Sequence, residues 1–155
     1  MTANTTDTRS IQVDSTQQPG VLVVTYHGAN HANLPGGSEI DLLCEAFEAI
    51  QHGWEAVVTA GELGRIVAVA PAAAALGEPA LLADAAVTGG LISLVRSLAI
   101  ELAKSGGTAN TLLYDPARPS ATRAMLHALT SPDGSDVTGQ EIYVAGSLST
   151  GRLHP

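Results

Sequence analysis

Two neighbouring stretches of the sequence decide the fold: Arg65-Ile-Val-Ala-Val-Ala-Pro71 and the apolar segment Asp84–Lys104. In the first, β-branched and small apolar residues run up to a proline, which predicts a buried strand over Arg65–Ala70. In the second, apolar residues recur every three or four positions, which predicts one long helix. Asp84 is expected to be its N-cap, and Gly106-Gly107 to end it. The apolar stripe of this helix consists of Leu91, Leu94, Val95, Leu98 and Leu102.

Strand and helix patterns alternate on both sides of these stretches. Upstream, Ser38 is a suitable N-cap for a helix whose apolar residues run from Ile40 to Val57. Strands separated by helices predict a short, mainly parallel sheet with flanking helices, an α/β class of fold that we describe as truncated Rossmann-like. The remaining expected elements are strands at Val21–Tyr26, Thr108–Leu113 and Glu141–Ala145 and a short helix at Ser120–Leu129.

One α/β domain is expected over residues 20–146. Residues 1–19 are interpreted as a flexible N-terminal tail with one possible strand at Ser10–Val13, and residues 147–155 as a C-terminal tail. Right-handed crossovers should place the two long helices on the same face of the sheet. Because the strands are apolar on both faces, something else must cover the second face: the N-terminal segment, a rearranged helix or another chain. Val21–Tyr26 is also a possible open edge of the sheet.

Composition limits the class of protein. The 155 residues carry a net charge of −8, which disfavours nucleic acid and anionic membrane surfaces as partners because both need a positive face. The single cysteine, Cys44, excludes an intrachain disulfide and suits a reducing compartment. Neither a secretory signal nor an uninterrupted apolar run long enough to span a membrane is recognised. The expected location is therefore the cytoplasm.

Four segments, in order along the chain, resemble the short-chain dehydrogenase/reductase family. Gly64–Val69 resembles the family's Gly-Arg-Ile-Val strand, and Gly89–Ala103 (GGLISLVRSLAIELA) resembles its long helix closely. Asn110 stands where the family has the Asn of its next strand. Val137–Ile142 (VTGQEI) resembles the entry to its last strand. The resemblance covers about residues 21–146 and implies the C-terminal half of that fold.

The residues that would carry the family's chemistry are replaced. The position of the catalytic Ser holds Pro71, that of the Tyr holds Asp84, and that of the Lys holds Thr88. The Pro-Gly pair that borders the nicotinamide reads Tyr114-Asp115. A carboxylate repels a developing oxyanion, and Thr88 has no charge that would lower a neighbour's pKa. The family's glycine-rich cofactor turn is also absent from the sequence. We therefore expect no bound cofactor and no catalytic residue of the family type.

Other residues are candidates for altered chemistry. If the former substrate cleft were active, its chemistry would be carried by Asp84, Tyr26, Tyr114 and His27. The simpler interpretations are an N-cap role for Asp84 and packing roles for the two tyrosines. His27 and His31 have the i, i+4 spacing of a metal pair. Because they lie in a loop rich in Gly and Pro, and no third ligand is evident, no metal site is expected.

The two long helices are expected to form a subunit interface. Small residues on the second helix permit close approach of another helix, and the resembled family uses these two helices for its dimer. The leading hypothesis is a non-catalytic pseudoenzyme subunit that oligomerises with itself or with a full-length catalytic relative. The alternative is an enzyme with altered chemistry, or a small-ligand binder, at the former cleft. The expected interface residues are Phe47, Trp54, Gly89, Gly90, Ser93 and Ser97.

Overall fold

A computed structural model describes residues 10–14, 20–28, 39–59 and 64–146 of the chain. Within these ranges the chain forms five strands and four helices, together with 3-10 turns at Pro79–Leu81 and Pro132–Gly134. The strands are β1 (Ser10–Asp14), β2 (Val21–His27), β3 (Arg65–Pro71), β4 (Thr108–Tyr114) and β5 (Glu141–Val144). The helices are α1 (Glu39–Thr59), α2 (Ala72–Ala75), α3 (Leu82–Ala103) and α4 (Pro119–Thr130). Each element expected from the sequence is present, with ends that differ by one or two residues.

The five strands form one sheet in the order β1-β2-β3-β4-β5. Strands β2 to β5 are parallel, as the alternation of strands and helices predicted. Strand β1 pairs antiparallel with β2, with Ser10 opposite His27 and Asp14 opposite Val23. Part of the segment interpreted as a tail is therefore a strand, and it covers the edge of β2 that was expected to be open.

The first face of the sheet carries α1 and α3. Leu22, Val24 and Tyr26 of β2 point to this face and belong to the same core cluster as Ile50 of α1 and Leu91 of α3. Their co-packing confirms that the two long helices share a face. The positions of α3 that the sheet buries follow the helical period: Val87, Leu91, Val95, Ala99 and Leu102.

The second face carries α4. Leu129 of this helix is buried against Val67, Val69 and Leu112, with Leu126 packed beside them. Of the three expected covers, a helix of the same chain therefore covers the β3–β5 part of the face. Strands β2 to β5 are parallel and lie side by side in chain order. The connection from β4 to β5 through α4 passes over the face opposite α1 and α3, so its handedness is opposite to that of the two earlier connections. Right-handed crossovers form about 98% of such connections, so the general rule does not predict this placement.

Helix α3 is unusually long and apolar. Within Pro79–Ala103, an 18-residue window has a mean hydropathy of 1.5, so the segment is long and apolar enough to cross a membrane by length and composition. The core helix of a globular protein can have the same length and hydropathy, and α3 packs its inner side on the sheet. This helix is therefore weak evidence for a membrane location.

Candidate functional site

A buried polar pair lies where β2 approaches the first turn of α3. The Tyr26 hydroxyl donates a hydrogen bond to Asp84 Oδ1 at 2.5 Å. Tyr26 is 0% exposed and Asp84 is 2% exposed. The residue at the N-cap position of α3 is Leu81, and it makes no side-chain cap bond. The interpretation of Asp84 as the N-cap is therefore wrong, because α3 begins at Leu82 and the Asp84 carboxylate accepts a bond from another element.

The backbone after β2 closes over this pair. A Cβ atom at Gly28 would lie 2.9 Å from Asp84 Oδ1 and 3.0 Å from Pro71 Cγ. Both contacts are shorter than ordinary carbon packing, so a side chain at this position would displace its neighbours. The fold therefore brings Gly28, Pro71 and Asp84 together at the carboxyl ends of β2 and β3. The sequence offered no signal for the role of Gly28 beyond the residue type.

Thr88 lies one helical turn after Asp84 on the buried side of α3. It is 0% exposed, and its Oγ1 has no hydrogen-bond partner within the described part of the chain. A threonine in this position packs by its methyl group and carries no charge. Positions 71, 84 and 88 thus hold a proline, a carboxylate bonded to Tyr26 and a neutral hydroxyl.

The other two sequence candidates lie on the opposite face of the sheet. Consecutive residues of a strand point to opposite faces, so His27 points away from the Tyr26 side. His27 Nε2 lies 3.2 Å from Gln12 Oε1 of β1. Tyr114, at the end of β4, packs in the core cluster under α4, where burial raises its pKa. The four candidates therefore divide into Tyr26 with Asp84 on one face, and His27 with Tyr114 on the other.

Of the two histidines with the spacing of a metal pair, the structure describes His27. His31 lies outside the described residues. Among the described residues, no group of three His, Cys, Asp or Glu side chains has the arrangement of a metal site. His27 is placed beside Gln12, as given above, and the absence of a metal site stays a prediction.

Solved structures with a similar architecture show which fold the chain has. The chain matches 4-hydroxyisoleucine dehydrogenase, crystallised with NADH and succinate, with a TM-score of 0.63 and 22% identity over 72% of this chain and 58% of that chain. An NADPH-bound short-chain oxidoreductase from Pseudomonas aeruginosa PAO1, described as containing an atypical catalytic centre, matches with a TM-score of 0.60 and 24% identity over 84% and 65%. Acetoin dehydrogenase from Enterobacter cloacae matches with a TM-score of 0.63 and 22% identity over 76% and 56%. The fold is that of the short-chain dehydrogenases/reductases.

Only part of the short-chain dehydrogenase/reductase fold is present in these 155 residues, because the chain spans less than two thirds of the length of each of these three proteins. No protein-family model matches the sequence, and no curated protein matches it significantly. The structural likeness therefore shows the fold, and the activity has to be argued from the residues of this chain.

Two segments that carried the sequence resemblance contact each other in this chain. Asn110 Nδ2 of β4 donates to the carbonyl of Val137 at 2.7 Å, and its Oδ1 accepts from the Gln140 backbone at 3.1 Å. The Thr138 hydroxyl accepts from the Ala109 backbone at 3.2 Å. These bonds fix the entry to β5 on β4. In this chain Asn110 is thus a structural residue, which its position in the sequence alone did not indicate.

The expected interface residues divide between the interior and the surface of the chain. A Cβ at Gly90 would lie 2.5 Å from Leu43 Cδ2 of α1, so Gly90 permits close packing of α1 on α3 inside one chain. Trp54 is half-buried against the main core. Phe47 is 45% exposed. Gly89, Ser93 and Ser97 are exposed on α3.

Proposed function

We propose that this chain is a non-catalytic subunit with the short-chain dehydrogenase/reductase fold, which assembles with itself or with a full-length catalytic relative. The observation that carries the proposal is the buried Tyr26–Asp84 hydrogen bond at the position where the resembled family has its catalytic tyrosine. A proton donor must reach its substrate, and neither partner of this pair is accessible.

The surroundings of the pair support the same conclusion. Pro71 has no hydroxyl to orient a carbonyl, and Thr88 is a neutral side chain buried in the core. In the resembled family, a lysine at this position lowers the pKa of the catalytic tyrosine and holds the ribose. Without a charge at Thr88 neither effect is available. The chemistry of the family therefore has no donor, no orienting group and no ribose contact among these three positions.

The outer side of the two long helices supports assembly. One exposed stripe of α3 carries small and apolar residues spaced by three or four positions: Leu82, Ala86, Gly89, Ser93, Ser97 and Ile100. Leu82 is 81% exposed and Ile100 is 68% exposed. On α1, Ile40 is 69% exposed and Phe47 is 45% exposed. Exposed large apolar side chains beside small ones favour close packing of another helix pair, and an obligate interface would bury about 2,000 Å² or more in total.

Two measurements test the proposal. Calorimetry with oxidised and reduced nicotinamide dinucleotides should show no binding, and a dissociation constant below about 100 μM would contradict the non-catalytic assignment. Light scattering at micromolar concentration should show an oligomer. If the purified chain is a stable monomer, affinity purification from the native host should retain a full-length short-chain dehydrogenase/reductase. A monomer that retains none contradicts the subunit role.

A second candidate is an enzyme with altered chemistry at the former cleft. It is favoured by the carboxylate–phenol pair itself, since Asp and Tyr side chains are both among the groups that act as general acids and bases. The similar oxidoreductase from Pseudomonas aeruginosa is described as having an atypical catalytic centre, so this fold can tolerate departures from the usual residues. This candidate requires Asp84→Asn to abolish turnover of any substrate found, while a purely structural Asp84 predicts retained turnover in the fraction that folds.

A further inference from the structure

A groove runs along the second face of the sheet beside α4. Its floor consists of the β2 residues that point away from the main core, among them Val21, Val23 and Thr25. One wall is α4, with Leu126 and Thr130, and the other side is bounded by β1. The cavity measures about 310 Å³, which lies at the lower end of the range of small-molecule sites. The seven residues of β2 give the floor a length of roughly 20 Å.

A second cavity continues the groove at the carboxyl edge of the sheet. It measures about 350 Å³ and lies between Val69, Tyr114 and the start of α4. Thr25, His27, Arg123 and Leu126 line both cavities, so the two spaces meet around these side chains. The two cavities therefore form one continuous groove, and the basic side chains of His27 and Arg123 lie where they meet.

Arg123 stands at the junction, and it differs from the other exposed basic residues of the described chain. Arg96 pairs with Glu141, Lys104 with Glu101 at 2.8 Å, and Arg118 with Asp115 at 4.0 Å. Within the described residues Arg123 makes no ion pair and no side-chain hydrogen bond. In a chain with a net charge of −8, a cation that is left out of the ion pairs is available to an anion from outside.

The charges around the groove define an orientation. His27 lies beside Arg123 at the carboxyl edge, and His127 follows one helical turn along α4. Two acidic residues line the groove. Asp14 stands opposite Val23, nearer the amino end of β2, and Asp115 stands at the carboxyl edge, where it pairs with Arg118 at 4.0 Å. Because Asp115 already has a basic partner and Arg123 has none within the described residues, an anionic group is attracted to Arg123, and an apolar chain can lie over Val23 and Leu126, within the groove.

We propose that this groove binds a small anion carried on an apolar chain, such as a linear carboxylate, with its charged group at Arg123. The proposal does not rest on the non-catalytic assignment, because the groove lies on the face of the sheet opposite α1 and α3 and opposite the Tyr26–Asp84 pair. It assigns this chain a ligand site on the face opposite the surface proposed for assembly.

The test is a titration of the full chain followed by two-dimensional amide NMR, with sodium decanoate as the probe and decanol as its uncharged counterpart. We expect saturable shifts at Val23, Thr25 and Leu126, with a dissociation constant for decanoate of about 1 mM or tighter. Decanol should bind more weakly. Arg123→Gln should weaken decanoate about tenfold and leave the affinity for decanol unchanged.

Arg96→Gln is the matched control, because it removes an exposed arginine on the other side of the sheet and should leave decanoate binding unchanged. Circular dichroism of both variants verifies that they are folded. Equal affinities for decanoate and decanol, an Arg123→Gln variant that binds decanoate like the wild type, or shifts confined to α1 and α3 would each overturn the proposal. If light scattering shows instead that Arg123→Gln changes the oligomeric state, the groove is occupied by another chain and the proposal is wrong.

Discussion

The buried pair between β2 and α3 allows a quantitative test of what Asp84 does. Tyr26→Phe removes the hydroxyl and keeps the ring in the core, where the side chain is 0% exposed. The lost hydrogen bond joins residues 58 positions apart, so it is a tertiary interaction between a strand and a helix. A hydrogen bond to a charged group contributes about 1.5–3 kcal/mol. We expect the free energy of unfolding to fall by about 2 kcal/mol, which for a domain of this size lowers Tm by about 4–8 °C.

A double-mutant cycle isolates this contribution. Urea unfolding followed by circular dichroism gives the free energy of unfolding for the wild type, Tyr26→Phe, Asp84→Asn and the double variant. Because the two side chains are in contact, their effects should be non-additive by about 1 kcal/mol or more. Tyr114→Phe is the matched control: it makes the same change to a half-buried tyrosine on the other face, and it should alter stability by less than about 0.5 kcal/mol.

Two results would refute the reasoning. A Tyr26→Phe variant within about 0.5 kcal/mol of the wild type would mean that the bond contributes little net stability. Additive single effects would mean that Tyr26 and Asp84 stabilise the fold independently. Either result would remove the main argument for a structural Asp84 and would strengthen the alternative in which its carboxylate performs chemistry.

Four further outcomes follow from the packing. Gly89→Ala should stabilise the isolated chain by about 0.5–1 kcal/mol in thermal unfolding, because nothing lies within 4 Å of the new Cβ. Gly90→Ala must displace the Leu43 side chain of α1, so this variant should be less stable than Gly89→Ala by about 1 kcal/mol or more. Asn110→Ala should lower the free energy of unfolding by about 1–3 kcal/mol in urea unfolding, because a buried amide that makes two hydrogen bonds to the backbone is lost. Burial raises the pKa of Tyr114, so its contribution to stability is complete below about pH 10 and is lost as the pH rises through the folded-state pKa. Tyr114→Phe should reduce this loss in urea unfolding measured against pH, and the remainder belongs to groups such as Tyr143, whose pKa is also raised by burial. If the chain assembles through α3 as proposed, Ser97→Glu should give a smaller species in light scattering, since an unpaired charge in an interface is costly.

The sequence predicted the elements well because their patterns are strong and local. The β-branched runs of β2 and β3 and the period of α3 each specify one type of structure, whatever lies around them. The shared face of α1 and α3 followed from a general rule of handedness. The side of the sheet on which α4 lies did not follow, since the last crossover is an exception to that rule and a single sequence carries no signal for it.

The site was less predictable because it depends on contacts between distant elements. Asp84 before an apolar stripe resembles an N-cap, and only the three-dimensional position of Tyr26 shows that the carboxylate is bonded elsewhere. Strand alternation does separate Tyr26 from His27, so the division of the candidates between two faces was within reach of the sequence. Arg123 could not have been identified from the sequence. Within the described residues it makes no ion pair, whereas Arg96, Lys104 and Arg118 each pair with an acidic residue, and these pairs are visible only in the structure.

The two faces of the sheet make the proposals separable. Assembly is proposed for the outer sides of α1 and α3, and ligand binding for the groove between β2 and α4, on the other side of the strands. Ser97→Glu should therefore change the oligomeric state without altering decanoate affinity, as long as the monomer stays folded. Arg123→Gln should do the reverse. If Ser97→Glu also changes the decanoate affinity of a folded monomer, the sheet transmits a coupling between its faces, and the two surfaces cannot be treated as independent.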